Sequence, residues 1–145
     1  PAGYDFQATD KKQGYINTLA LRQYNAYLES TNPTDAKRVK PILALDKFET
    51  AHPAPAQSSG WYWPSSKEMA NLYVGPMNDD SLHEMLDIQL GKIDGAEVFG
   101  SNVFWASTEV YPSSEYAYNF SFSLGYGSAD AKGTAPYCVR PILAF

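Results

Sequence analysis

Cysteine, histidine and basic residues are all scarce in this chain of 145 residues. The single cysteine, Cys138, excludes an internal disulfide framework and any Cys-x-x-Cys metal or redox motif. The two histidines, His52 and His83, lie far apart, and neither belongs to the His-Glu-x-x-His pattern of a zinc helix. Eleven Lys and Arg against sixteen Asp and Glu leave a formal charge of −5. Neutralising a phosphate backbone takes clustered cations, so nucleic acid is excluded as the expected partner. No apolar run reaches the roughly 18 residues of a membrane span, so this segment is not expected to cross a membrane. The chain starts without Met or a signal-like stretch, which leads us to expect a mature form or an excised domain. A Gly-rich phosphate loop and a Gly-x-Ser-x-Gly elbow are also missing, and no cofactor is expected.

Aromatic residues are plentiful: 3 Trp, 7 Phe and 11 Tyr, more than one core readily absorbs. Surplus exposed Tyr and Trp suit recognition of sugars, peptides and partner proteins, because they offer large rigid contact areas. The length and the 44% apolar content fit one compact domain over residues 1–145.

The first half of the chain reads as helical. Ile16, Leu19, Ala20, Tyr24, Tyr27 and Leu28 recur at helical spacing, with Asn17 or Thr18 as N-cap and Asn32-Pro33 as stop. Pro41 interrupts the next stretch, and Ile42 to Phe48 resumes as a candidate second helix. Ser65-Ser66-Lys67-Glu68 matches a capping box, followed by Met69, Leu72 and Tyr73 on the core side up to Gly75. A further helix is predicted from Asp79 to Leu90, its acidic start matched to the positive helix end and Leu82, Met85, Leu86 and Leu90 on one face.

Beyond Gly91 the pattern turns β-like at Val103–Ser107, Tyr116–Ser123 and Tyr137–Leu143. In the middle segment Tyr116, Tyr118, Phe120 and Phe122 alternate with Ala117, Asn119, Ser121 and Ser123, which predicts one packed side and one outward side. Helices first and strands second imply an α+β domain, with two or three helices packed on a small twisted antiparallel sheet and long loops.

Four punctuated blocks carry a resemblance. They are Gly60-Trp61-Tyr62-Trp63-Pro64-Ser65-Ser66-Lys67-Glu68-Met69, Phe104-Trp105-Ala106-Ser107-Thr108-Glu109, Ala117-Tyr118-Asn119-Phe120 with Gly125, and Cys138-Val139-Arg140-Pro141-Ile142-Leu143-Ala144-Phe145. With Asn17-Thr18 near the start, this resembles the C-type-lectin-like C-terminal domain of bacterial collagen-like adhesins and gut-bacterial surface proteins. Related branches are Fibrobacter-type major paralogous domains, the formylglycine-generating-enzyme fold and retroelement variable proteins. Trp63 stands where that family has Leu, and Ala106 where it has Ser.

The resemblance implies a C-type-lectin-like fold, placed at the C-terminus of a longer surface protein. It also implies recognition outside the bacterial cell or on its outer surface, with a glycan or a host or bacterial surface protein as ligand. The other expectation is a structural or assembly subunit of an appendage such as a fimbrial tip, with oligomeric contacts. The formylglycine-generating branch works with paired cysteines, so its chemistry does not carry over to a chain with Cys138 alone, which reads as a small core residue.

Ligand contacts are predicted where the blocks leave the face unfixed: Tyr111, Glu115, Tyr116, Asn119, Ser121 and Tyr126 mix Tyr with short polar side chains in the manner of a paratope. Trp61, Glu68, Trp105, Glu109 and Arg140 are assigned structural roles, with Glu68 or Glu109 as the expected carboxylate partner of a buried Arg140. Glu109 and Glu115 are the nearest pair for carboxylate-dependent glycoside hydrolysis, a less favoured reading than a non-catalytic module. Calcium would need several converging oxygen ligands; Asn78-Asp79-Asp80 is explained by helix capping, and no metal is expected.

Overall fold

The computed structural model describes residues 8–34, 38–75, 81–113, 115–133 and 135–145. In chain order come α1 (Gly14–Thr31), α2 (Lys40–Ala51), α3 (Ser66–Val74), α4 (Ser81–Leu90), then β1 (Val103–Glu109), β2 (Tyr116–Ser121) and β3 (Tyr126–Ala131). The strands form one antiparallel sheet in the order β1-β2-β3. The α+β expectation therefore stands, with four helices rather than two or three. No helix is long and apolar enough to cross a membrane among the described residues.

Two apolar clusters sit on opposite faces of the sheet, because successive side chains of a strand point to opposite sides. Phe104 and Phe120 belong to the cluster of Met69, Phe99 and Phe122 beneath α3. Trp105 and Ala117 belong to the other, with Leu21 of α1, Ile42 and Leu45 of α2, and Trp63. Trp63, the departure from the family pattern, is therefore core: its indole Nε1 donates to the Trp105 carbonyl at 2.6 Å.

Burial on both faces corrects the expected outward orientation of alternate residues in β2. Asn119 and Ser121 are 3% and 6% exposed, although they are polar and alternate with aromatics. Asn119 donates to Asp130 and accepts from Ser128, both on β3, so its amide is satisfied inside the sheet. Tyr116, expected on the packed side, is exposed at the strand's start. The third strand is Tyr126–Ala131; the segment around 137–143 makes only two isolated bridges, Phe104 with Cys138 and Tyr62 with Ile142. Cys138 is exposed rather than core.

The α1 reading needs a similar correction. Its buried side is Asn17, Thr18, Leu21, Asn25 and Leu28, while Ile16 and Leu19 face outward. Asn17 and Thr18 are not caps; Gln13 holds the N-cap position without a capping bond from its own side chain, and its N–H donates to the Asp10 carboxylate. The Asn17 side chain instead accepts from the Asp10 N–H and donates to the Asp10 carbonyl and to Ser107. The Thr18 hydroxyl donates to the Gly14 carbonyl and accepts from the Trp63 N–H. Tertiary partners for these polar groups make an outward apolar and inward polar helix stable.

Pro41, read as an interruption, lies in the first turn of α2, where its missing N–H costs nothing and its fixed φ suits the helix. The capping box at Ser65 and Glu68 is present in both directions. The Asn78-Asp79-Asp80 cap and the proposed start of the last helix at Asp79 lie outside the described residues. Of the face predicted for that helix, Leu86 and Leu90 pack on the core and Met85 is exposed.

Candidate functional site

The six residues predicted to contact a ligand do not form one site. Tyr111 is 75% exposed on the β1–β2 connection, beside a cis bond to Pro112, and Glu115 and Tyr116 close that same connection. Tyr126 lies at the opposite end of the β2–β3 pair, opposite Ser121, whereas Tyr116 pairs with Ala131. Five strand positions separate these pairings, roughly 17 Å along the sheet, and the two tyrosines point to opposite faces. Asn119 and Ser121 are buried between them.

Of the residues assigned structural roles, Trp61, Glu68, Trp105 and Glu109 sit among packed or bonded neighbours, and Arg140 has a partner other than the expected carboxylate. Trp105 is buried, and Trp61 is half-buried, donating to the His52 carbonyl at 2.7 Å and meeting Phe48 edge-on. Glu68 accepts from the backbone N–H groups of Ser65 and Gly14 and lies 3.2 Å from the Tyr62 hydroxyl. Burial first, and then the Glu68 charge and hydrogen bond, push the Tyr62 phenol up to about 12. Glu109 is paired with Lys132.

Both glutamates are thus engaged elsewhere, and neither is the partner of Arg140. The Arg140 guanidinium donates to the Glu97 carbonyl at 2.8 Å and lies 4.6 Å from the centre of the Phe99 ring. Burial draws it down from its ordinary value, against the opposing pull of Glu97 and Asp87. An aromatic face and a carbonyl hold this cation in place of a carboxylate.

What the fold does build is a groove of about 950 Å³ between α1, the start of α2 and the sheet face that carries Trp105. Leu21, Trp63, Ala117 and Val139 give it an apolar floor, and Tyr24, Trp105 and Tyr137 bring aromatic rings to it. Trp105 and Tyr137 pack against each other with ring centres 4.9 Å apart. The Tyr137 hydroxyl donates to Asp130 at 2.9 Å, and that bond, ahead of desolvation and the charges of Asp130 and Tyr126, raises its pKa.

Among the described residues, Arg38, Lys40 and Lys132 line the same groove together with Glu109, the partner of Lys132. The Arg38 Nη2 donates to the Pro33 carbonyl at 2.8 Å, and Nη1 lies 3.8 Å from Glu29. Its Nε is buried and has no hydrogen-bond partner among the described residues.

The volume and the mixture of apolar walls with a few charged groups match those of small-molecule sites. Sequence reading missed this groove because its walls come from separate segments of the chain. Of the residues assigned ligand or structural roles only Trp105 and Glu109 line it, and the one sequence signal was the short basic stretch Arg38-Val39-Lys40. No cluster of three or more His, Cys, Asp or Glu is placed to hold a metal ion among the described residues.

No protein-family model matches the chain. Over 100 residues it is 31% identical to a Bacteroides ovatus protein that carries the name of a fimbrium tip subunit; the match takes in 69% of this chain and 18% of that protein. A crystallised fimbrial protein of the same organism superposes on 92% of this chain and 25% of its own, with a TM-score of 0.67 and 31% identity. The chain thus spans between about a fifth and a quarter of the length of these relatives. Their shared fold is the four-helix, three-strand α+β arrangement described above.

Proposed function

We propose that this chain is one domain of a longer fimbrial subunit carried on the bacterial cell surface. The observation that supports this most is the alignment of nearly the whole chain with part of a fimbrial protein at 31% identity. Fold alone carries little functional weight, but sequence and structural similarity here point to the same class of protein. In this reading the domain is non-catalytic: Glu109 is tied to Lys132, and Glu115 is exposed on a loop, so the two lack the enclosed setting of a glycosidase pair.

The experiment is to shear filaments from cells that express the intact parent protein and to identify its peptides by mass spectrometry. Recovery of this domain in the filament fraction, and its loss from that fraction after deletion of the coding segment, is the expected outcome. Recovery only in the cytoplasmic fraction contradicts the proposal.

Ligand recognition within the appendage is the second reading, in keeping with the C-type-lectin-like resemblance, and the groove favours it. An aromatic and cationic depression suits capture of a glycan or surface-protein ligand better than purely structural packing does. Tyr111, Glu115 and Tyr116 at one end of the β2–β3 pair, and Tyr126 at the other, lie outside the groove lining and would then contribute separately rather than as one paratope.

A further inference from the structure

We infer that the Asp94–Gly95 bond, in the turn that follows α4, is a site of covalent modification, closing to a succinimide and reopening as isoaspartate. The inference stands apart from the fimbrial reading, since it uses only chemistry within the chain. Asp94–Gly95 is the one Asp-Gly pair in the sequence, and no Asn-Gly pair occurs. Glycine matters because the attacking atom is the following backbone nitrogen, and a Cβ on that residue would crowd the five-membered ring as it forms.

The structure leaves both reacting groups open. Asp94 and Gly95 are the central residues of a turn closed by the Ala96 N–H, which donates to the Ile93 carbonyl at 3.1 Å. Gly95 has φ 76, the conformation that the third residue of a type II turn requires, and nothing lies within 4 Å of where its Cβ would stand. Both residues are exposed. Neither the Asp94 carboxylate nor the Gly95 N–H has a hydrogen-bond or ion-pair partner among the described residues. Groups that hold nothing else can approach each other when a turn closed by one bond opens, and exposed turns open at little cost.

The other described aspartates are engaged. Asp10 accepts from the Lys12 and Gln13 N–H groups, and Asp46 is held by Arg22. Asp87 accepts from the Phe99 and Gly100 N–H groups, and Asp130 from Asn119 and Tyr137. Their successors Lys11, Lys47, Ile88 and Ala131 all carry a Cβ.

The chemistry needs no reagent but water. The Gly95 nitrogen bonds to Cγ of Asp94, and the carboxyl hydroxyl leaves with the amide proton as water. A water molecule then adds to either ring carbonyl. Opening at Cγ restores aspartate; opening at the backbone carbon breaks its bond to the Gly95 nitrogen and leaves the chain running through Cγ. The product keeps the parent mass, gains one methylene in the main chain and carries its carboxylate on Cα. The lengthened turn lies just before the Glu97 carbonyl that receives Arg140.

The test is incubation of the folded chain at neutral pH and body temperature over weeks. Isoaspartate is counted by methyl transfer from labelled S-adenosylmethionine with an isoaspartyl methyltransferase, and placed by backbone fragmentation of digested peptides. The free peptide Gln89–Phe99 gives the rate without the fold. The label is expected chiefly at position 94, and the folded chain is expected to convert within about tenfold of the peptide rate. Gly95→Ala is expected to slow conversion about tenfold. Asp94→Glu, whose ring would need six members, is expected to abolish the label at this position with the fold unchanged by circular dichroism. Label placed mainly elsewhere overturns the inference. So does a folded chain slower than the peptide by more than that margin, or an unchanged rate in folded Gly95→Ala.

Discussion

Glu68 accepts from two backbone N–H groups and lies against a phenol, joining the start of α1, the cap of α3 and the Tyr62 ring. Glu68→Ala leaves these donors without their acceptor and is expected to cost about 2–3 kcal/mol, with Tm lower by on the order of 8 °C in a thermal melt. A melt within 2 °C of the parent would contradict this role. Tyr62, raised to about 12 by burial and by Glu68, gives the chain an alkaline limit. Its folded pKa lies above the unfolded value of 10, so its stabilising contribution is whole below pH 10 and is lost as pH rises through about 12. Denaturant midpoints measured from pH 9 to 12 are expected to fall less steeply in Tyr62→Phe than in the parent. Tyr137, shifted in the same direction by Asp130, contributes to the slope that remains. The exposed Cys138 is expected to react fully with a thiol reagent in the native state, without denaturant. Protection until unfolding would restore the core reading.

Elements dock through positions where no side chain fits. Gly125, at φ 68 in the β2–β3 turn, would place a Cβ 2.8 Å from the Tyr73 hydroxyl oxygen of α3. Gly125→Ala is therefore expected to destabilise by about 1–3 kcal/mol through both backbone strain and displacement of Tyr73, read as a lower midpoint in urea unfolding. An unchanged midpoint would show that the turn and the ring shift freely. Element existence was legible wherever local chemistry decides it: the Ser65/Glu68 box names the start of α3, and alternating aromatics name β2. Facing was not legible. The apolar stripe of Ile16 and Leu19 lies outside, because Asn17, Thr18 and Asn25 find partners across the fold that no local pattern announces. Strand β3, rich in Gly, Ser, Ala and Asp, carries no β signal of its own and exists because β2 offers it a ladder.

For the whole molecule, a sheet buried on both faces removes Asn119 and Ser121 from any surface and sets Tyr111 and Tyr126 apart. The walls of the groove converge only in the folded chain, which is why spacing along the sequence conceals it. The proposed fimbrial role rests on similarity to proteins four or more times as long, so whether this domain is present in surface filaments is the decisive fact. The most direct measurement is immunogold electron microscopy of intact cells, with an antibody raised against this chain. The account predicts gold on surface filaments. Gold absent from the filaments, with the antigen detected only inside permeabilised cells, would contradict it.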